Sequence, residues 1–299
     1  MTEPPLQGSA KPAAIKRGSA FYRPRPSLKH RAFIGAMQLF EKSVRLISDD
    51  LYFKIAASVL TELNCVMEFP TRAGPILMRS PSETARIRAK RAPTREVDTL
   101  AWIDGFDGGD VLWDIGSNVG VFTLYAAKVA GSRVVAFELL PWNYATLISN
   151  LTLNGVHDKV SAYCIGITDC IAPVTVSVPL AADIWGGAGG QVNSDLDGFG
   201  NPVKTLYKMA ALGYTVDGLV ALAGMPFPNH IKMDIDGNED KMLAGAHRTL
   251  VDSRIKSLMF EFQPGNAEPM TKEVEALGYA LAKVVFPNHY FVPRGRRKT

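Results

Sequence analysis

The sequence predicts an α/β protein with a doubly wound, mostly parallel sheet, preceded by a helical extension and closed by an antiparallel hairpin. Two observations carry this prediction. After residue 95, short apolar runs alternate with amphipathic segments, which is typical of parallel strands joined by helices. The first of these runs ends in a glycine-containing turn and the second ends in an acidic residue. In this fold class, ligand-binding residues follow the carboxyl ends of the strands.

The 299 residues are 47% hydrophobic and suffice for one large core with a small accessory region. Residues 1–30 are rich in Pro, Gly, Ser, Lys and Arg, which indicates a disordered basic tail. Residues 31–95 are expected to form a helical extension, with one helix from 31 and a second over 51–63. The apolar face of the first recurs every three or four residues, at Phe33, Met37, Phe40, Val44 and Ile47.

Residues 96–299 form the predicted main domain. Its expected strands are 111–115, 133–137, 160–167, 231–233 and 258–262. Its expected helices are 119–130, 141–154 and 238–250, and the closing hairpin pairs 281–286 with 290–292. Residues 185–201, which contain six glycines, do not follow this alternation. They are interpreted as either a mobile substrate loop or a plain surface insertion.

Charge is distributed unevenly along the chain. Residues 1–95 carry 17 Lys/Arg against 7 Asp/Glu, a net +10, and the remainder carries a net −6. A solvated arm is the favoured interpretation, and weak peripheral contact of the basic segment 11–31 with an anionic membrane is the alternative. Dense basic blocks are absent from the sequence, so no nucleic-acid partner is expected. Three cysteines without metal or disulfide spacing, and no apolar run of spanning length, favour a cytoplasmic location.

The segment Asp114-Ile-Gly116-Ser117-Asn118-Val-Gly120 is a strand that enters a glycine turn and a helix. Nicotinamide enzymes use the same device, but they need a small residue where this chain has Asn118, so that a pyrophosphate can approach. The carboxylate of Asp114 would also repel a diphosphate. A ligand with an ammonium group and a sulfonium centre, such as S-adenosyl-L-methionine, suits this turn better.

Glu138 ends the next predicted strand, where an acidic side chain can accept hydrogen bonds from both ribose hydroxyls. This position is shared by nicotinamide-binding and methyl-donor folds. It therefore supports nucleoside binding without distinguishing the donor.

The segment His230-Ile-Lys-Met-Asp234-Ile-Asp236 delivers two carboxylates to the tip of a short strand. They are candidates for orienting an acceptor hydroxyl, taking its proton or contacting an ammonium group, with Asp234 first and Asp236 and His230 behind it. A carboxylate pair can also hold a divalent cation, but no metal site is assigned. Lys232, within the apolar strand, needs a buried acidic partner, for which Glu261 is the candidate.

Together, these motifs resemble the FkbM family of S-adenosylmethionine-dependent methyltransferases. The matching blocks, in order, are Asp114-Ile-Gly-Ser-Asn-Val-Gly120, Val135-Ala-Phe-Glu138-Leu-Leu-Pro141, residues 147–155, and residues 230–246 followed by Phe260-Glu261. The resemblance covers about residues 96–280. One departure is Asp236, since the family pattern usually has Glu there.

The resemblance implies a class I methyltransferase, Rossmann-like fold and methylation of a hydroxyl on a sugar, glycolipid or natural-product scaffold. It implies a small-molecule or glycan acceptor and S-adenosyl-L-methionine as cofactor. The alternatives are a non-catalytic nucleoside-binding module and an NAD-dependent oxidoreductase. By position, the donor-binding residues would be Asp114, Gly116, Ser117, Asn118 and Gly120 at the methionine moiety, Glu138 at the ribose, and Thr168 and Asp169 near the adenine.

Overall fold

The computed structural model describes residues 27–62, 65–197, 201–222 and 224–295, in two compact units, Met1–Leu63 and Asn64–Thr299. Of the predicted tail, residues 1–26 lie outside the described residues, and the first helix begins at Leu28. Within the described part, no helix combines the length and apolarity needed to cross a bilayer.

The first unit consists of helices α1 (Leu28–Ile47) and α2 (Asp49–Glu62), which pack against each other. Their junction is at Ser48, whose hydroxyl accepts a hydrogen bond from the backbone N–H of Leu51 (3.2 Å). This hydroxyl satisfies one of the N–H groups that a helix start leaves without an intrahelical partner.

The second unit begins within residues 31–95, the segment expected to form a helical extension. A two-stranded hairpin, β1 (Val66–Phe69) and β2 (Ile76–Arg79), precedes α3 (Glu83–Arg95) and α4 (Val97–Asp104). Ser82 caps α3 by accepting a hydrogen bond from Ala85 N (3.0 Å). The compact unit that contains the main domain therefore starts about 30 residues before the predicted boundary at 96.

The remaining strands are, in chain order, β3 (Val111–Ile115), β4 (Arg133–Phe137), β5 (Val160–Tyr163), β6 (Gly166–Ile167), β7 (Ala172–Pro179), β8 (Gln191–Val192), β9 (Thr205–Tyr214), β10 (His230–Met233), β11 (Ser257–Glu261), β12 (Tyr279–Val285) and β13 (Asn288–Pro293). The main sheet has the order β12-β13-β11-β10-β3-β4-β5. Strands β11, β10, β3, β4 and β5 are parallel, and β13 is antiparallel to both neighbours. The predicted doubly wound sheet with a closing hairpin is confirmed.

A second sheet, with the order β6-β9-β7-β8, lies between β5 and β10 in the chain. The predicted strand 160–167 is in fact divided between the two sheets, because β5 ends at Tyr163 and β6 begins at Gly166. The long strands β7 and β9 pair antiparallel and were not predicted.

The helices of the second unit continue with α5 (Val121–Tyr125), α6 (Pro141–Asn154), α7 (Val216–Val220), α8 (Glu239–Ala244), α9 (His247–Leu250) and α10 (Ala267–Ala276). The predicted helix 119–130 begins at Val121 and finishes as a π-helical turn over Ala126–Ala130. The predicted helix 238–250 is two helices, separated at Gly245 and Ala246. A side chain at Gly245 would clash with the backbone carbonyl of Thr168.

The main sheet separates two apolar clusters, which bury most of its side chains. The middle one of its five parallel strands, β3, has β4 on one side and β10 on the other, so the strand order reverses there. In open α/β sheets a crevice forms at such a reversal, outside the carboxyl ends of the strands. The turns after β3, β4 and β10 are therefore brought to one edge of the sheet.

Candidate active site

A cleft lies at this edge of the sheet, and its volume, including the open space at its mouth, is about 680 Å³. Its walls come from the turns after β3, β4 and β10, from residues 165–167, and from the glycine-rich residues 187–190. The charged side chains among its lining residues are Arg88, Glu138, Asp234 and Asp236.

Gly116 forms the floor of the cleft between β3 and β10. Its φ of +79° is in the left-handed region, and a Cβ there would lie 2.8 Å from the carbonyl carbon of Asp234. Only glycine, which has no Cβ, lets the backbone at residue 116 approach the backbone at Asp234 this closely. Gly120, with a φ of +90°, serves packing instead, because a Cβ there would strike Leu147 of α6.

Glu138 and Asn118 are joined across the floor of the cleft. The carboxylate of Glu138 accepts hydrogen bonds from the backbone N–H groups of Asn118 (2.8 Å) and Leu140 (2.8 Å). Burial raises the pKa of Glu138 to about 7, and these two donors work against that rise. Asn118 adopts a φ of +50°, a conformation that Asn tolerates better than most residues.

The first part of the glycine-rich insert is an ordered wall of the cleft. The carbonyl oxygen of Gly187 accepts hydrogen bonds from the side-chain amides of Asn118 and Asn143, each at 2.9 Å. Gly186 donates its N–H to Asn143 (2.7 Å), and its carbonyl accepts from the guanidinium of Arg88 (2.6 Å). Of the two interpretations of residues 185–201, the plain surface insertion does not describe residues 186–190.

Lys232 lies buried beneath the cleft, with its side chain 1% exposed, 3.3 Å from Asp114 and 3.7 Å from Asp234. Burial opposes its charge, but these carboxylates hold the pKa of Lys232 above its ordinary value. Thr123 donates its hydroxyl to Asp114 (2.6 Å). The predicted partnership of Lys232 with Glu261 is thus corrected: its ion pairs are with Asp114 and Asp234.

Asp114 has no exposed surface and is absent from the lining of the cleft. Its charge faces Lys232, so the predicted repulsion of a diphosphate by Asp114 does not operate directly. Asp114 instead orders the turn from below. Ser117 is similarly inward, because its hydroxyl donates to the carbonyl of Phe137 (3.2 Å).

Three carboxylates meet beside Gly116: those of Asp234, Asp236 and Glu261. One oxygen of each lies within 4.8 Å of the others. Burial and the neighbouring carboxylates raise the pKa of Asp236 to about 6 and that of Glu261 to about 8. Asp234 keeps 29% of its side chain exposed. Proximity of this kind suits proton transfer or cation binding.

His230 is not brought to this cluster. It begins β10, whereas Asp234 follows the end of that strand. Its ring hydrogen-bonds with Asp110 (2.9 Å) and Ser257 (2.7 Å) and stacks on Phe106 with a centroid distance of 3.7 Å. Burial lowers the pKa of His230 to about 4, which indicates a neutral, structural histidine.

Thr168 and Asp169 also lie outside the lining of the cleft. Thr168 is fully buried and pairs its N–H with the carbonyl of Tyr214 (2.9 Å), whereas Asp169 is exposed. The cleft wall at this strand end is formed by the three preceding residues, 165–167.

Sequence reasoning missed two residues of the cleft and misjudged a third nearby. Arg88 comes from α3, far from every motif, and no local signal marks it. Asn238 lines the cleft and is buried, and its position directly before α8 was a usable signal. Glu261 was assigned to Lys232 rather than to the carboxylate cluster.

The family model described as the methyltransferase FkbM domain matches residues 114–281, more than half of the chain. A tRNA (guanine(37)-N(1))-methyltransferase of Anopheles darlingi is 40% identical over 68 residues, which are 23% of this chain and only 13% of that protein.

Among solved structures, precorrin-6y C5,15-methyltransferase of Geobacter metallireducens has a TM-score of 0.38 and 14% identity, covering 66% of this chain and 84% of its own. The METTL16 methyltransferase domain has a TM-score of 0.42 and 10% identity, covering 75% and 84% respectively. The family match includes the glycine turn, Glu138 and the carboxylate segment after β10. The chain belongs to the FkbM family of S-adenosylmethionine-dependent methyltransferases.

Proposed function

We propose that this protein transfers a methyl group from S-adenosylmethionine to a hydroxyl oxygen of a sugar, glycolipid or natural-product scaffold. The observation that carries the proposal is the carboxylate cluster of Asp234, Asp236 and Glu261 beside the glycine turn. A hydroxyl is a weak nucleophile until its proton is removed, and these carboxylates stand where an acceptor can meet the donor.

The residues of the cleft fit the donor. Gly116 presents no side chain to the cleft it lines, which suits the methionine part, and the buried carboxylate of Glu138 suits the ribose hydroxyls. Asn118 holds Glu138 and residue 187 in place. When bound there, S-adenosylmethionine supplies an electrophilic methyl group on a sulfonium centre. The roles of Asp114, Ser117, Gly120 and Thr168 are then to support this cleft from behind, and exposed Asp169 would be peripheral.

Asp234 is the proposed base. Its partial exposure leaves the carboxylate accessible from the cleft, and the ammonium of Lys232 lies 3.7 Å from it. It orients the acceptor hydroxyl and receives its proton as the oxygen attacks. Asp236 shares this region, while residues 187–190 limit the access of water. Alignment of acceptor and donor supplies most of the rate enhancement in such a displacement.

A small-molecule or glycan acceptor suits the charge of the site better than RNA does. The carboxylates of Asp234 and Asp236, which line the cleft, repel the phosphates of a polynucleotide. The short similarity to a tRNA methyltransferase makes RNA the second candidate to include in an assay. Cytoplasmic location and weak membrane contact through residues 11–31 remain part of this proposal.

The test is transfer of a labelled methyl group from S-adenosylmethionine to fractionated glycans, glycolipids, metabolites and RNA. Asp234→Asn should lower turnover at least about a hundredfold while S-adenosylhomocysteine binds within about threefold of wild type. The matched control is Asp240→Asn, which changes an exposed carboxylate six residues along the chain and should leave both quantities unchanged.

Four outcomes would contradict the proposal or one of its parts. Methyl transfer confined to the RNA fraction would replace the acceptor class. Donor binding without transfer to any fraction would indicate a non-catalytic nucleoside-binding module. Tighter binding of NAD(H) than of S-adenosylhomocysteine would indicate an oxidoreductase. Near-normal turnover by Asp234→Asn would remove Asp234 from the role of base.

A further inference from the structure

We propose that Asp234, Asp236 and Glu261 form a binding site for one divalent cation at the acceptor side of the cleft. Binding of the cation is independent of the proposed function. Only its effect on the acceptor hydroxyl, described below, rests on that function.

The sheet brings the three carboxylates together. Strands β10 and β11 are parallel neighbours, with Met233 opposite Phe260, so the residues that follow them reach the same edge. One oxygen of each carboxylate lies within 4.8 Å of the other two. Two oxygens on opposite sides of one ion are about 4–5 Å apart, since metal–oxygen distances are about 2.0–2.6 Å. The three oxygens are therefore spaced to share one ion.

A buried amide provides an independent indication of a ligand. Asn238 is only 2% exposed and lines the same cleft as Asp234 and Asp236. Its Oδ1 atom has no hydrogen-bond partner among the residues that the structure describes. A buried polar atom without a partner is costly, and an amide oxygen is a ligand that hard cations accept.

Acidic side chains outnumber basic ones around the cluster. Glu239 adds a fourth carboxylate nearby, and the cations that act on the cluster are Lys232 and Arg88. Lys232 divides its charge between Asp234 and the buried Asp114. Like charges held together away from water are unfavourable, and a divalent cation would offset them.

The donor set selects the class of ion. Carboxylate and amide oxygens suit Mg²⁺, Mn²⁺ or Ca²⁺, and the cluster contains no cysteine or histidine that would favour zinc. A cation here would polarise an acceptor hydroxyl and lower its pKa. Each carboxylate offers the ion one oxygen, which leaves the second oxygen of Asp234 to take the proton.

The experiment titrates the full-length chain with Mn²⁺ alone, without donor or acceptor, by isothermal titration calorimetry and electron paramagnetic resonance. We expect one Mn²⁺ per chain. Glu261→Gln and Asp236→Asn should each weaken binding at least about tenfold, equivalent to about 1.4 kcal/mol. Asn is compatible with the φ of +37° at position 236, so this variant remains informative if Glu261→Gln does not fold.

Glu239→Gln is the matched control, because it removes a nearby carboxylate that is outside the trio. It should change Mn²⁺ affinity less than about threefold. An equal loss in Glu239→Gln and Asp236→Asn would indicate diffuse attraction and overturn the site, as would no saturable binding up to millimolar Mn²⁺. Methyl transfer that persists in EDTA, together with absent Mn²⁺ binding, would refute the cation site and leave the proposed function standing.

Discussion

Replacing Gly116 with alanine adds one methyl group where the turn after β3 contacts the backbone that follows β10. The Cβ would lie 2.8 Å from the carbonyl carbon of Asp234, whereas carbon atoms in favourable contact are about 3.5–4.0 Å apart. The turn therefore has to move by at least about 0.7 Å, and Asp234 belongs to both the cleft wall and the carboxylate cluster. Gly131→Ala is the matched control: its φ is +75°, and its Cβ would meet open space.

Both substitutions carry the cost of a left-handed backbone conformation, and only Gly116→Ala also carries the cost of overpacking. A non-glycine residue in the left-handed region costs about 1–2 kcal/mol, which both variants pay. Overpacking adds about 1–3 kcal/mol to Gly116→Ala alone. We therefore expect a loss of unfolding free energy of about 1–2 kcal/mol for Gly131→Ala and about 2–5 kcal/mol for Gly116→Ala.

Chemical denaturation measures the loss of unfolding free energy in each variant. Calorimetric titration with S-adenosylhomocysteine measures the affinity of each variant for this ligand. Gly116→Ala should bind at least about tenfold more weakly, because the displaced turn narrows the donor space. Gly131→Ala should bind like wild type. If Gly116→Ala matched Gly131→Ala in both stability and affinity, the close approach of residues 116 and 234 would not be limiting, and the reasoning would fail.

Two further predictions concern the cleft wall and the fold. Asn143→Ala removes the side-chain hydrogen bonds to residues 186 and 187, and should therefore weaken donor binding and speed proteolysis of the glycine segment. Asn154→Ala is the control, because it removes two hydrogen bonds from the same helix to Leu77. It should lower stability but leave donor binding and proteolysis of the glycine segment unchanged. On acidification from pH 6.5 to about 4, protonation of His230 should by itself remove about 3 kcal/mol of unfolding free energy, because the unfolded chain binds the proton more readily than the buried ring. The raised pKa values of Glu138, Asp236 and Glu261 act in the opposite direction over this range, so the contribution of His230 is measured as the difference between wild type and His230→Asn.

Equal proteolysis of Asn143→Ala and Asn154→Ala would show that the segment is held by other contacts. For His230, an NMR titration midpoint near 6.5 in the folded protein would contradict the acid effect. Asp110, the hydrogen-bond partner of His230, titrates below this pH range. Hydrogen bonds from Lys256 and His230 outweigh burial and keep the pKa of Asp110 below its ordinary value.

The main sheet was predictable because its strands β3, β4, β10 and β11 are buried on both faces and are mostly apolar. The observed β3 and β4 begin and end at the predicted residues, and β10 and β11 are within one residue of them. Strand β9 gave no such signal, because most of its residues are exposed or half-buried. Strands β1 and β2 are four residues each and lie among prolines and a glycine, which hid the hairpin.

The site residues that could be predicted are those that directly follow a strand. Gly116, Glu138, Asp234 and Asp236 each follow a strand, so local sequence sufficed. Pairing across strands was not predictable in the same way. In the observed register Lys232 lies opposite Asp114, whereas on the other side it faces Met259, two residues before Glu261. Strand register is set by the whole sheet, which is why the partner of Lys232 was misassigned.

The position of Lys232 between two carboxylates has a consequence for mutagenesis. An Asp114→Asn variant would ordinarily be interpreted as a donor-binding defect, since this residue begins the glycine turn. Here it would also free the ammonium of Lys232 from Asp114 and leave Asp234 as its closest remaining ion-pair partner. A slower reaction in that variant would then combine two effects, and only a double-mutant cycle of Asp114 with Asp234 separates them.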